Sequence, residues 1–448
     1  MALTGLDIYK KLPKTNCGEC GFPACLPFAM KLAAGQAELD ACPYLSEEIK
    51  EELAEASAPP IRLVTMGRGE NVLKIGEEQV MFRHEKTFFH PPGIGVIVED
   101  TDPQEVIDGK INQTREVKFE RVGQILKSDI IAVKASSGDA SKFVSVVKRV
   151  KDSLDIPMVL MSQNPEIMKV ALSVCAEDKP LIYAANGENY EAMANLSKEY
   201  DCPLVVSAKG LETLSPLVEK ILALGIKHLV LDPGSENVGS TLHDLVLIRR
   251  AALKQKFRPL GYPVITFPCF QAEDDLMEAA IAAIYIMKYG GIILLRNLEP
   301  WKVLPLFVLR QNIYTDPQRP MRVEEGIYPI GNPNETSPVL ITSNFSLTYF
   351  IVSGEIEASK IPSWLLVLDT EGLSVMTSWA AGKFVPETIA PFVKRSGITD
   401  KVEHHKLVIP GCVAQISGEL EDELPDWDII VGPREAADIP VFLRQWAA

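Results

Sequence analysis

From His90 onward the chain alternates brief apolar runs with longer segments of helical periodicity. The runs are Gly95 to Val98, Ile130 to Val133, Met158 to Met161, Leu181 to Ala184, Leu204 to Val206, Leu229 to Leu231, Val264 to Phe267 and Ile292 to Leu295. A strand covered on both faces reads as an unbroken apolar stretch, and reaching a parallel neighbour takes a crossover long enough to hold a helix. Residues Asp139 to Leu154, Ser240 to Lys256 and Gln271 to Tyr289 are the clearest such helices. Eight consecutive units predict a closed (βα)8 TIM barrel. Upstream, Val72 to Ile75 and Gln79 to Phe82 flank Gly76-Glu77-Glu78 and predict a lid or entry hairpin.

Beyond the eighth unit, Pro317, Pro320, Pro329, Pro333 and Pro338 punctuate polar sequence and predict a linker over 313–338. Four more runs follow, Val339 to Thr342, Trp364 to Leu368, Leu407 to Ile409 and Ile429 to Val431, with a last helix over Glu435 to Trp446. They predict a small open α/β sheet of flavodoxin or Rossmann type. At the other end, Leu26, Ala29, Met30 and Ala33 form one side of a helix stopped by Gly35, and Ser46 to Ala56 makes a second, capped by Ser46. Ala58-Pro59-Pro60 breaks it. The expected division is 1–57, a barrel with its hairpin over 61–312, the linker, and 339–448.

Charge and composition narrow the classes. A net charge of -15 with a pI near 5.1 opposes binding to a phosphate backbone, so no nucleic-acid partner is expected. The start, Met1 to Asp7, lacks a basic segment followed by an apolar one, and the longest apolar run, Met277 to Met287, is too short to span a bilayer. The chain is expected to be cytoplasmic, with no membrane partner.

Four of the eight cysteines lie at Cys17, Cys20, Cys25 and Cys42. The first three share a turn with Gly18, Gly21 and Pro23, so their thiols can converge locally, and Cys42-Pro43 returns after one helix. Structural zinc favours two paired knuckles, whereas one compact run plus a remote Cys-Pro is the ferredoxin pattern. The spacing therefore favours a [4Fe-4S] cluster over zinc, with a disulfide knot the poorest alternative. Cys175, Cys202, Cys269 and Cys412 read as small buried hydrophobes, with Cys412 the one that also lies in a candidate ligand loop.

Two groups of loops are candidate sites. The barrel-strand ends at Asp100, Lys134 to Ser136, Ser162, Asn186, Lys209, Asp232-Pro233 and Arg296-Asn297 carry no paired carboxylates or glycine-rich phosphate loop, and read as helix caps. In the open sheet, ligands bind outside the carboxyl ends of the strands. The candidates there are Thr342, Asn344 and Ser346; Thr370, Glu371, Gly372, Leu373, Ser374 and Val375; Gly411, Cys412 and Ala414; and Gly432, Pro433 and Arg434. Small loops of this kind admit a large flat ligand to backbone amides.

The run Lys14-Thr15-Asn16-Cys17-Gly18-Glu19-Cys20-Gly21-Phe22-Pro23-Ala24-Cys25 with Cys42-Pro43, together with Leu368-Asp369-Thr370-Glu371-Gly372-Leu373-Ser374-Val375, resembles the large (gamma) subunit of the corrinoid iron-sulfur protein of the reductive acetyl-CoA pathway. The resemblance implies a [4Fe-4S] domain, a barrel and a C-terminal domain holding a base-off cobamide. It implies a methyl carrier, which takes a methyl group from methyltetrahydrofolate on cob(I)amide through a methyltransferase and delivers it to the nickel site of acetyl-CoA synthase. The cluster would reactivate accidentally oxidised cobalt. The implied partners are a smaller subunit forming a heterodimer, the methyltransferase, acetyl-CoA synthase/CO dehydrogenase and an electron-donating or reactivating protein. None of the six histidines sits in D-x-H-x-x-G, in keeping with a cobalt lacking a protein histidine beneath it. The alternatives are a barrel methyltransferase or other barrel enzyme with an iron-sulfur electron port, and a zinc-stabilised scaffold.

Overall fold

The computed structural model describes residues 5–33, 36–46, 49–50, 53, 59–316 and 321–446. The expected second helix, Ser46 to Ala56, and the stop at Gly35 fall largely or wholly outside these residues. The chain divides into two compact units, one of residues 1–81, 89–113 and 129–298 and one of residues 82–88, 114–128 and 299–448.

In the first unit, α1 (Gly5–Lys11) and α2 (Cys25–Ala33) enclose a small core of Ile8, Leu12, Phe28, Ala29 and Leu45. Hairpin β1 (Val64–Arg68) and β2 (Asn71–Ile75) follows. It turns at Gly69-Glu70 instead of Gly76 to Glu78, and Gln79 to Phe82 form no strand. The reason is packing. Val64, Met66, Leu73 and Ile75 share one core with Ile130, Leu181 and Val230, while Gly93 and Gly67 lie tight against Leu73 and Pro157. The expected lid therefore plugs the barrel at the amino ends of its strands.

All eight predicted runs form barrel strands: β3 (Gly93–Glu99), β6 (Ile130–Lys134), β7 (Met158–Met161), β8 (Leu181–Ala185), β9 (Leu204–Ser207), β10 (Leu229–Asp232), β11 (Val264–Thr266) and β12 (Gly290–Leu295). Every neighbouring pair is parallel and the ring is closed. Gly95 is obligatory, because a Cβ there would stand 2.0 Å from the Ile130 carbonyl oxygen. Between the first and second barrel strands an antiparallel pair, β4 (Lys118–Arg121) and β5 (Gln124–Lys127), belongs to the second unit.

The second unit is a five-stranded sheet ordered β13-β15-β14-β16-β17. Its parallel strands are β14 (Val339–Ser343), β15 (Ser363–Leu368), β16 (Lys406–Ile409) and β17 (Asp428–Val431). The fifth, β13 (Gly326–Ile330), lies within the segment expected to be only a linker. It pairs antiparallel with β15 over five residues. Pro329 is tolerated because β13 is the sheet edge, where one side of the backbone needs no partner. The helices are α3 (Ser346–Ser359), α4 (Val375–Ala380), α5 (Pro386–Ser396), α6 (Ser417–Glu423) and α7 (Ile439–Trp446). Helix Pro300–Tyr314 also belongs to this unit, where Gln311 donates to the Arg121 carbonyl and to Gln124.

Candidate functional site

Strand β14 decides where this sheet opens. Its side chains alternate, with Leu340 joining the core of Ile356, Val408, Ile439 and Leu443 on one face, and Val339 and Ile341 joining that of Ile389, Phe392 and Leu420 on the other. The chain steps from β14 to β15 through α3, then crosses back to β16 on the opposite flank of β14 through α4 and α5. The switch point therefore lies between β14 and β16. Five residue pairs join β14 to β15, but only Val339 with Leu407 and Leu340 with Val408 join it to β16, so the two strands part toward their carboxyl ends.

A cavity of about 260 Å³ occupies that parting. Thr342, Ser374, Val375, Cys412, Gly432, Pro433 and Arg434, all expected from the loops, line it. Its inner wall is apolar, from Leu340, Val352, Val408 and Ile439. Thr342 is 1% exposed, and its Oγ1 has no hydrogen-bond partner among the described residues. Burial pushes the Cys412 thiol upward, which keeps it protonated. The loop glycines are packing requirements. A Cβ on Gly411 would stand 2.4 Å from the Gly432 carbonyl oxygen, and the Gly411 N–H donates to the Pro433 carbonyl at 3.0 Å.

Other expected contacts brace the rim. Asn344, 1% exposed, accepts through Oδ1 from the Thr370 N–H, the Thr370 hydroxyl and the Gly372 N–H at 2.9–3.0 Å, and donates to Asp369. This holds Glu371 and Gly372 in the left-handed region at φ +57° and +78°. Glu371 ion-pairs with Lys383. Ser346, Leu373, Gly411 and Ala414 do not line the cavity. Thr348 and Val352 of α3, and Ala436 and Ile439 near α7, do line it. Nothing in the loops signals them, since they arrive from helix faces otherwise read as core.

At the other end of the chain, Cys17 is exposed, Cys20 half-buried, and Cys25 and Cys42 buried. The last three share the core of α1 and α2. Gly18 and Gly21 have φ of +79° and +82°, and Asn16 is also left-handed. Asn16 clamps the turn. Its Oδ1 accepts the Cys25 N–H at 2.9 Å, and its own N–H donates to Cys25 Sγ at 3.4 Å. Among the described residues no three His, Cys, Asp or Glu side chains are gathered as metal ligands. The donor set itself, four thiols on one small fold with an amide aimed at a sulfur, fits a thiolate-bound cluster.

The barrel-strand ends satisfy one another. Asp232 accepts from Tyr183, Ser207 and the Gly234 N–H, Asp100 from the Ser137 N–H and hydroxyl, and Asn186 from Glu188 and Asn189, while Arg296 donates to the carbonyls of Cys269 and Ala272.

The family model described as CO dehydrogenase/acetyl-CoA synthase delta subunit matches residues 63–443, and one described as a putative Fe-S cluster matches residues 12–44. A relative from Moorella thermoacetica, named corrinoid/iron-sulfur protein large subunit, is 48% identical over 99% of both chains. The chain belongs to this family. A second relative, from Methanopyrus kandleri and named acetyl-CoA decarbonylase/synthase complex subunit gamma, is 41% identical over 99% of this chain and 98% of its own. A dihydropteroate synthase from Thermus thermophilus aligns with 56% of this chain and all of its own at 17% identity and a TM-score of 0.41, too distant to bear on function. Both ends singled out by the residues, the cysteine turn and the open sheet, therefore fall inside matched segments of the corrinoid/iron-sulfur family. No helix among the described residues is long and apolar enough to cross a membrane.

Proposed function

We propose that this chain is the methyl-carrying large subunit of a corrinoid iron-sulfur protein. The observation that carries the reading is the cavity at the β14/β16 switch point, lined by residues chosen from the loops alone, in a chain 48% identical end to end to a protein named for a corrinoid. When bound, the cobamide supplies the methyl-accepting centre and a [4Fe-4S] cluster supplies the electron that restores it. Cys17, Cys20, Cys25 and Cys42 hold the cluster, and the Asn16 N–H lowers the cost of negative charge on the Cys25 sulfur. The loops at the carboxyl edge of the sheet, where Gly411 and Gly432 keep two loops in contact and Asn344 braces the Thr370 to Ser374 turn, would hold the cobamide. No histidine lines the cavity, so the protein would supply no histidine beneath the cobalt, and a cobamide whose own base was also detached would be easier to reduce.

The methyl donor is methyltetrahydrofolate, acting through a separate methyltransferase, and the acceptor is the nickel site of acetyl-CoA synthase/CO dehydrogenase. A smaller subunit completes the heterodimer, and a separate protein donates electrons to the cluster. Metal analysis and EPR of the anaerobically purified full chain with its co-purifying partner test the reading. About four iron atoms and about one cobalt per chain are expected, with a base-off cobalt(II) signal. Zinc alone, or iron without cobalt in a preparation exposed to cobamide, would overturn it.

A further inference from the structure

Two hydrogen bonds cross between Asn16 and Cys25. Cys25 opens α2, so its N–H is one of the amides at a helix start for which the helix itself has no acceptor. The acceptor comes from nine residues upstream, as Asn16 Oδ1 at 2.9 Å. The Asn16 N–H in turn donates to Cys25 Sγ at 3.4 Å. One residue therefore caps the first amide of the helix and sets its own amide on the sulfur of the same cysteine.

The residue type matters to both bonds. Asn16 has a φ of +49°, in the left-handed region that asparagine and aspartate enter more readily than other side chains. Alanine offers neither that tolerance nor the acceptor, and glycine offers only the tolerance. Cys25 is 6% exposed, so little water reaches its sulfur to replace a lost donor. Hydrogen bonds to ligating sulfurs are among the quantities that set an iron-sulfur potential, because the charge of an added electron spreads onto those sulfurs and an N–H aimed at one favours the reduced form.

Resting on the iron-sulfur reading above, we propose that the Asn16 side chain is the positioning residue for this amide-to-sulfur bond, and that it thereby raises the midpoint potential of the cluster held by Cys17, Cys20, Cys25 and Cys42. It acts through the Cys25 ligand, by locking the turn that carries its own N–H against the sulfur. A cluster that is easier to reduce accepts an electron from a weaker donor and passes it on with less driving force. Residue 16 thus sets where the cluster stands between its donor and its acceptor.

The test is a redox titration. The full chain with its co-purifying partner is titrated anaerobically with titanium(III) citrate and mediators, the reduced cluster being read by EPR and iron per chain by metal analysis. At the wild-type midpoint, Asn16→Ala should lower the ratio of reduced to oxidised cluster about tenfold, the size of one hydrogen bond felt by one charge state, or a negative shift of about 59 mV for one electron. Asn16→Gly should shift the midpoint in the same direction. Tyr44→Phe removes another side-chain tie to the turn, the 2.8 Å bond from the Tyr44 hydroxyl to Glu19, which meets no sulfur, and should leave the midpoint in place. Unchanged midpoints in the clusters that the two Asn16 variants retain, or loss of iron from both, would make Asn16 a structural residue and overturn the proposal, as would an equal shift in Tyr44→Phe. Where Asn16→Ala alone fails to hold iron, the midpoint of Asn16→Gly decides. Wild-type chain prepared without oxygen and free of iron would instead remove the iron-sulfur reading, and this inference with it.

Discussion

Eight cysteines separate into two chemical populations by environment. Cys175, Cys202 and Cys269 are buried, and desolvation pushes each thiol up to about 12, so almost none is thiolate near neutrality. Cys17 is exposed on the amino-terminal turn. Iodoacetamide at about pH 8 should therefore label the exposed Cys17 in the metal-free native chain well before any of those three, as read by peptide mass spectrometry; early labelling of Cys175 would contradict this packing. A second residue reports through pH. Hydrogen bonds from Ser136 and then Lys134 hold the Glu99 carboxyl below its ordinary value of 4.5. A carboxylate depressed in the folded state contributes stability in full above its unfolded value and loses it as pH falls through the folded one. The Tm difference between wild type and Glu99→Gln should be constant from neutrality down to about pH 5 and close below it. A difference unchanged on acidification would mean that the Ser136 and Lys134 contacts are not formed.

The elements that build the site are two strand-to-helix loops pressed together, and glycine is what lets them touch. Gly411→Ala would drive a methyl group into the backbone of Gly432, Pro433 and Arg434. Relief requires the loops after β16 and β17 to separate, at about 1–3 kcal/mol. A lowered Tm and reduced cobamide occupancy are expected together. Gly418→Ala, where a Cβ meets nothing within 4 Å and the residue lies inside α6, is the contrasting control and should lower neither. If Gly411→Ala also left both unchanged, the loops would not be packed as described. At this scale the sequence was a good guide to strands and a poor one to their partners. The run Gln79 to Phe82 forms no strand, the Val80 and Met81 carbonyls instead accepting from Arg249 and Tyr289, and the hairpin forms one step earlier, where four apolar side chains can seal the barrel. Segment 326–330, in a stretch dense in turn-favouring residues, becomes a strand because the exposed flank of β15 offers it a ladder.

Across the whole molecule, the two cofactor sites proposed above are carried by residues far apart in the chain, and they should be separable. Cys20→Ala should lower iron from about four to below about one per chain, keep cobalt and the corrinoid spectrum, and abolish reductive reactivation while sparing methyl transfer from cobalt already reduced. Loss of cobalt in the same variant would show that the cysteine turn supports the whole fold. What the sequence determined by itself was local: eight apolar runs became eight barrel strands, four more became the parallel sheet, and a 26-residue segment held four clustered thiols. Burial on both faces of a parallel strand leaves a continuous apolar imprint, and a chelating turn needs only near neighbours, so both can be read one-dimensionally. The tertiary structure alone decided that β14 and β16 part after two residue pairs, that α3 and α7 supply walls to the cavity between them, and that Thr342 ends there without a partner among the described residues. Those facts depend on crossover direction and on atoms brought together from segments roughly a hundred residues apart. No spacing along the chain encodes them.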